Sequence, residues 1–191
     1  AQCRDLIEQS FVARSAQFRR MQKPERAEPV VDGDQHDAAA LHEALVILCD
    51  VAQRVPLIWP VHPRARANID RFGLAPLVAG ARITLLEPQG YLEMVGLLGG
   101  ARLVLTDSGG IQEETTALGV PCITLRENTE RPITASQGTN TVVGTDVDQI
   151  LACYEDVMKT GGKVGRVPDL WDGAAAQRIV QVINQWAAKR T

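Results

Sequence analysis

The densest concentration of chemically useful side chains lies mid-chain, where Asp107-Ser108-Gly109-Gly110-Ile111-Gln112-Glu113-Glu114 is followed by Arg126, Glu130 and Arg131. Glycines let a backbone approach an anion closely, and the N–H groups at a helix start point at it. Ser108-Gly109-Gly110 therefore reads as an anion cradle, or as a tight strand-to-helix turn and nothing more. Carboxylates one turn into the helix cannot favour a phosphate, but one carboxylate can accept both donors of a ribose diol. Together these pieces suit the phosphates and ribose of a nucleotide. A solvated acid near a helix N-terminus is the plainer reading of Glu114, and Glu113 reads as surface or as a residue behind the site. His62 follows an apolar run and precedes Pro63, which holds its backbone extended; a capped loop residue is the alternative to an active-site imidazole. Arg64 is placed to reach phosphate, whereas Arg66 reads as coating a helix. Arg126, Glu130 and Arg131 mix cations with a carboxylate, and a self-satisfied ion-pair loop competes with a ligand-contacting one.

The elements that must position these residues follow from apolar periodicity. Short apolar runs predict strands at Leu57–Val61, Ile83–Leu86, Leu103–Thr106, Val120–Leu125 and Thr141–Val143. A helix is expected from Asp37 as N-cap, with Leu41, Leu45, Leu48, Ala52 and Val55 on one face. Further helices are expected at Arg64–Arg71, Tyr91–Leu98, after Ser108, at Val147–Lys159 and at Gly173–Ala188; in the last, Ala176, Ile179, Val180, Ile183 and Trp186 make one face. Residues 126–140 read as a loop. Residues 1–20 read as one helix with Leu6, Ile7, Phe11 and Phe18 on an incomplete stripe, and 21–37, broken by Pro24, Pro29 and Gly33, as a linker. The expected organisation is an N-terminal helix and linker over 1–36 and one domain over 37–191. Short strands alternating with helices predict an α/β, Rossmann-like three-layer parallel sheet. Right-handed crossovers then bring His62, Glu87-Pro88, Asp107-Ser108-Gly109 and Arg126 to one edge.

A net charge of -3 argues against nucleic acid as a partner. No run approaches a membrane span, and the first twenty residues lack the pattern of a signal peptide, so a cytoplasmic location is expected. Cys3, Cys49, Cys122 and Cys153 lack the close spacing of zinc ligands, and Cys49 and Cys122 read as small core residues. Neither a metal nor another cofactor is expected.

Thr106-Asp107-Ser108-Gly109-Gly110-Ile111-Gln112-Glu113-Glu114, Leu118-Gly119-Val120-Pro121 and Arg126-Glu127-Asn128-Thr129-Glu130-Arg131-Pro132 resemble the non-hydrolysing UDP-N-acetylglucosamine 2-epimerases. The resemblance extends to Trp59-Pro60-Val61-His62-Pro63-Arg64, Gly138-Thr139-Asn140, Val143-Gly144-Thr145-Asp146 and Trp171-Asp172-Gly173, and covers residues 40–190. It implies the C-terminal half of a two-domain enzyme of GT-B type, in which Ser108, Gly109 and Gly110 hold the UDP diphosphate and Glu114 the ribose. It further implies that Met94 packs on the uracil ring, with core packing the alternative. His62 would serve catalysis near the substrate phosphates, and Arg64, Arg126, Glu130 and Arg131 would lie near phosphate and sugar. The implied reaction interconverts UDP-GlcNAc and UDP-ManNAc by elimination and re-addition of UDP, without a cofactor, in cell-envelope polysaccharide biosynthesis. The family's acid and base carboxylates belong to an N-terminal domain that nothing here resembles. Its Leu-His-Arg-x-Glu-Asn segment is not matched by residues 28–37. A homo-oligomer, or association with the missing domain, is implied. The alternatives are a non-catalytic UDP-binding module, truncated or diverged, and the donor-binding domain of a glycosyltransferase.

Overall fold

The computed structural model describes residues 11–14 and 33–189. Six parallel strands form one sheet: β1 (Phe11–Arg14), β2 (Leu57–Pro60), β3 (Ile83–Leu86), β4 (Val104–Thr106), β5 (Cys122–Thr124) and β6 (Asn140–Val142). Their order is β3-β2-β1-β4-β5-β6. Between them run α1 (Gly33–Arg54), α2 (Pro63–Arg71), α3 (Ala75–Ala79), α4 (Tyr91–Gly100), α5 (Gly109–Leu118) and α6 (Pro132–Ser136). Two more, α7 (Val147–Thr160) and α8 (Ala175–Ala188), follow β6.

β1 corrects the expectation of a helix over 1–20. Phe11–Arg14 is a strand at the middle of the sheet, paired with Leu57 and Ile58 on one side and with Val104–Thr106 on the other. A four-residue strand flanked by two others takes its conformation from ladder hydrogen bonds rather than from its own periodicity, and an incomplete helical stripe cannot outweigh them. The expected boundary at residue 36 therefore cuts through the domain, since the sheet is continuous across it. The rest of 1–20 lies outside the described residues, as do 21–32 of the linker; α1 begins at Gly33, ahead of the cap expected at Asp37. The short helix α6 lies within the expected loop 126–140, and α3 lies in a stretch for which no element is expected.

Alternation along β4 shows how the layers are held apart. Leu103 and Leu105 point into a cluster with Leu45, Leu48, Val51, Trp59, Ile123, Tyr154 and Val157, which covers one face with α1 and α7. Val104 points the other way, into a smaller cluster with Met94, Leu98, Ile111 and Val120 from α4, α5 and the turn before β5. Every residue of β4 and β5 is buried, the pattern of strands covered on both faces. α5 ends at Gly119, whose φ of 72° lets its N–H turn back onto the Thr115 and Thr116 carbonyls. No described helix is long and apolar enough to cross a membrane.

Candidate nucleotide-phosphate site

The strand order reverses between β1 and β4: from β1 the chain builds outward to β2 and β3, then returns to lay β4 on the other side. Crossover helices diverge at such a switch point and leave a crevice beyond the strands' C-terminal ends. β4 ends at Thr106, so Asp107, Ser108 and the start of α5 sit at that crevice.

Ser108 is the N-cap of α5 with extended backbone, and its hydroxyl makes no capping bond to the helix. Its N–H donates to Thr106 Oγ1 at 3.0 Å, which ties the cradle to the end of β4. The first intrahelical bond runs from Gln112 N–H to the Ser108 carbonyl at 3.3 Å. The amides of Gly109, Gly110 and Ile111 therefore lie ahead of it, at the positive end of a ten-residue helix. They, rather than the Ser108 amide, are the donors an anion would meet.

The two glycines have no internal reason to be glycine. Neither has a positive φ. A Cβ on Gly110 would meet nothing within 4 Å, and one on Gly109 would make only ordinary contact with Arg131, at 3.6 Å from Cγ and 3.7 Å from Nε. Both stand in a helix, where glycine is disfavoured against alanine by up to about 1 kcal/mol. Backbone conformation and packing would accept side chains here.

Arg131 crosses the bare face of Gly109, with Nε 3.0 Å from Glu113 Oε1. Glu113 thus gains a defined partner that its sequence context did not reveal. Arg126 and Glu130 face each other in a two-pronged pair, Nη1–Oε2 at 2.9 Å and Nη2–Oε1 at 2.8 Å. The hydrogen bond from Arg126 holds the Glu130 carboxyl below its usual range, and the same bond raises the Arg126 guanidinium. The self-satisfied reading of this pair is the one the structure adopts. Glu114 is half-buried on the second turn of α5.

Two expected site residues stand differently. Met94 is 5% exposed and packs with Leu98, Val104, Ile111 and Val120; the expected uracil contact is corrected to core packing, because α4 turns this side chain toward the sheet. His62 is the N-cap of α2, its Nδ1 accepting the Arg64 N–H at 3.2 Å. Its Nδ1 is thus taken up in capping α2, and Nε2 is the ring nitrogen that remains to meet a ligand. Arg64 itself is exposed on the first turn of α2. Arg66 reaches Glu87 at 3.6 Å, joining α2 to the loop after β3.

The loop after β5 is held by a buried polar network. Gln112 Oε1 accepts from Thr129 Oγ1 at 2.6 Å and from Asn140 Nδ2 at 3.1 Å. Asn140 also meets Thr134 Oγ1 at 3.1 Å, and its Oδ1 accepts from Thr124 Oγ1 at 2.6 Å. Gln112, Asn140 and Thr129 all lie in the motifs that carried the resemblance, and their work is to fasten the Arg126–Arg131 loop to α5 and β6. The available signal was the buried face of α5, Ile111, Gln112, Thr115 and Thr116, which is helical in spacing but mostly polar.

Among the described residues no group of His, Cys, Asp and Glu could hold a metal. Cys122 is buried, and burial pushes its thiol up to about 12; Cys49 and Cys153, half-buried, are also raised by burial. None of the three has the lowered pKa of a reactive nucleophile. Cys3 lies outside the described residues.

This sheet order, with the N-terminus of α5 at the switch point, defines a Rossmann-like α/β domain. The family model described as UDP-N-acetylglucosamine 2-epimerase matches residues 32–184. The chain belongs to that family. It is 42% identical over 128 residues to the UDP-N-acetylglucosamine 2-epimerase of Methanococcus maripaludis, a match covering 66% of this chain and 34% of the relative. To the enzyme of that name from Salmonella typhimurium it is 40% identical over 173 residues, covering 84% and 42%. The crystal structure of Methanocaldococcus jannaschii UDP-GlcNAc 2-epimerase in complex with UDP-GlcNAc and UDP superposes with a TM-score of 0.70 at 29% identity, covering 96% of this chain and 48% of that one. The chain spans less than half the length of these relatives.

Proposed function

We propose that this chain is the UDP-holding half of a UDP-N-acetylglucosamine 2-epimerase. In this reading the diphosphate rests on the amides of Gly109, Gly110 and Ile111 with the Ser108 hydroxyl beside it, and Glu114 accepts the ribose hydroxyls. The observation that carries it is the pair of glycines whose side chains the fold itself would tolerate. The relative crystallised with UDP-GlcNAc and UDP supports the ligand class.

Epimerisation at C2 requires a base to remove the proton, an acid to return one, and a site that retains UDP while it is detached. The developing negative charge on the departing diphosphate is what a helix N-terminus stabilises. His62 Nε2 would add a polar contact, and Arg131 a cation. The proton-transfer groups are assigned to the remainder of the enzyme, because Glu113 and Glu130 near the cradle are committed to Arg131 and Arg126. The same commitment supports a second reading, in which this polypeptide binds UDP without turning it over. Working in the cytoplasm in cell-envelope polysaccharide synthesis, and associating with a second copy or with the other half of the enzyme, complete the proposal. The sugar is less constrained than the nucleotide: one relative, 43% identical over 96 residues, is the UDP-2,3-diacetamido-2,3-dideoxy-D-glucuronate 2-epimerase of Pseudomonas aeruginosa.

Calorimetric titration tests the assignment. Glu114→Ala should weaken UDP binding by about 1–3 kcal/mol, the range for losing hydrogen bonds to a charged group. Unchanged affinity would remove Glu114 from the site. Proton exchange at C2 of UDP-GlcNAc in D2O tests where the proton-transfer groups lie: binding without exchange by this chain alone supports their assignment to the remainder of the enzyme, and exchange by this chain alone would overturn it.

A further inference from the structure

We propose that Glu113 is a positioning residue, which holds the Arg131 guanidinium against the first turn of α5 so that a cation flanks the cradle. The proposal rests on the UDP reading above and deepens it. Glu113 lies four residues beyond Gly109, one turn along the helix and on the same face. Its Oε1 takes Arg131 by Nε at 3.0 Å, while Arg131 Cγ and Nε lie 3.6 and 3.7 Å from where a Gly109 Cβ would stand. The arginine is thus laid along the strip of helix surface that the missing side chain leaves open.

Its backbone is fixed independently. The Arg131 N–H donates to Thr129 Oγ1 at 2.9 Å, and its carbonyl accepts from Thr134 N–H at 3.0 Å and Thr134 Oγ1 at 2.7 Å. Nη1 makes a long contact of 3.5 Å to the Glu130 carbonyl. An Nε-only grip leaves the Nη2 side of the fork for a second acceptor, and two-pronged contact with phosphate oxygens is what that fork suits. Both partners are about half exposed, at 46% and 42% of their side-chain surface, where an ion pair adds little to stability. Holding the guanidinium in place is a function the pair performs even so.

The sign of the effect discriminates. A carboxylate beside an anion site repels the anion, so if Glu113 acted only through its charge, removing it would tighten UDP binding. If it positions Arg131, removal weakens binding despite the lost repulsion.

Calorimetry with UDP and with uridine on the wild-type chain, Glu113→Ala, Glu113→Gln, Arg131→Ala and the double alanine variant reads this out. Glu113→Ala should bind UDP roughly three- to ten-fold more weakly, with uridine unchanged. Glu113→Gln, which keeps the acceptor, should recover most of the loss, and the double variant should be no weaker than Arg131→Ala. Glu113→Ala that binds UDP as tightly as wild type or more so, or losses that add in the double variant, would overturn the proposal. A wild-type chain that does not bind UDP would overturn the parent reading instead, and the two failures are therefore distinct.

Discussion

Gly110→Ala puts function and stability in opposition. Gly110 occupies the first turn of α5, has an ordinary helical φ, and would place a Cβ in open space. Alanine fits that backbone without strain, and it restricts the unfolded chain, so the substitution should stabilise by about 0.5–1 kcal/mol. For a chain of this size that corresponds to a rise in Tm of about 1–4 °C, at roughly 2–4 °C per kcal/mol. The added methyl nevertheless projects from the surface a diphosphate must approach. Displacing the anion from charge-assisted hydrogen bonds costs about 1.5–3 kcal/mol, or roughly ten- to hundred-fold in UDP affinity. Uridine, which lacks the phosphates, should be unaffected. Differential scanning calorimetry and isothermal titration on one preparation give both numbers. A variant that melts lower than wild type would show that Gly110 serves the fold after all. One that melts higher and binds UDP equally well would show that no anion comes near it.

Other perturbations probe the supporting structure. His62→Ala should destabilise by about 1 kcal/mol through loss of the α2 cap, and His62→Asn, a good capping residue, should restore stability without restoring any contribution of the imidazole to turnover by the complete enzyme; denaturant melts and steady-state assays read the two separately. Asn140→Ala should cost about 2–4 kcal/mol, because it takes the acceptor from the buried Thr124 hydroxyl and one of two partners from both Gln112 Oε1 and Thr134 Oγ1; a urea midpoint within error of wild type would contradict the network's importance. Asp172 accepts the Ala174 N–H at 3.0 Å and pairs with Arg178, and both, the backbone bond foremost, hold its carboxyl below the usual carboxylate range. A depressed folded-state pKa contributes stability above the unfolded value that is lost as pH falls through the folded one. The first turn of α8 should therefore stay protected at neutral pH and fray only below the usual carboxylate range, as followed by amide exchange; fraying that begins near pH 6 would contradict this.

Most of the sheet was legible because β2 to β6 are short apolar runs bounded by polar turns, and their observed limits fall within about two residues of the expected ones. β1 was not legible, since a strand held by neighbours on both sides needs no periodicity of its own. The strand-to-helix turn could be read from Ser108-Gly109-Gly110 because small residues favour such a turn. Arg131 and Glu113 were visible as charges but not as a pair, since seventeen intervening residues hide a contact that only the fold creates. Met94 misled because a methionine on a short helix suits a ligand and a core equally well, and only the rotation of α4 decides between them. The apolar face of α8 was read correctly as a stripe, yet Ile179, Val180, Ile183 and Trp186 are all more than half exposed, which no helical periodicity can reveal.

The most direct measurement of the central claim is a 15N–1H NMR titration of the chain with UDP and with uridine. The amides of Gly109, Gly110 and Ile111 should shift most with UDP and stay nearly still with uridine. Saturable UDP binding that leaves those amides unmoved, with its largest shifts elsewhere on the sheet, would contradict it.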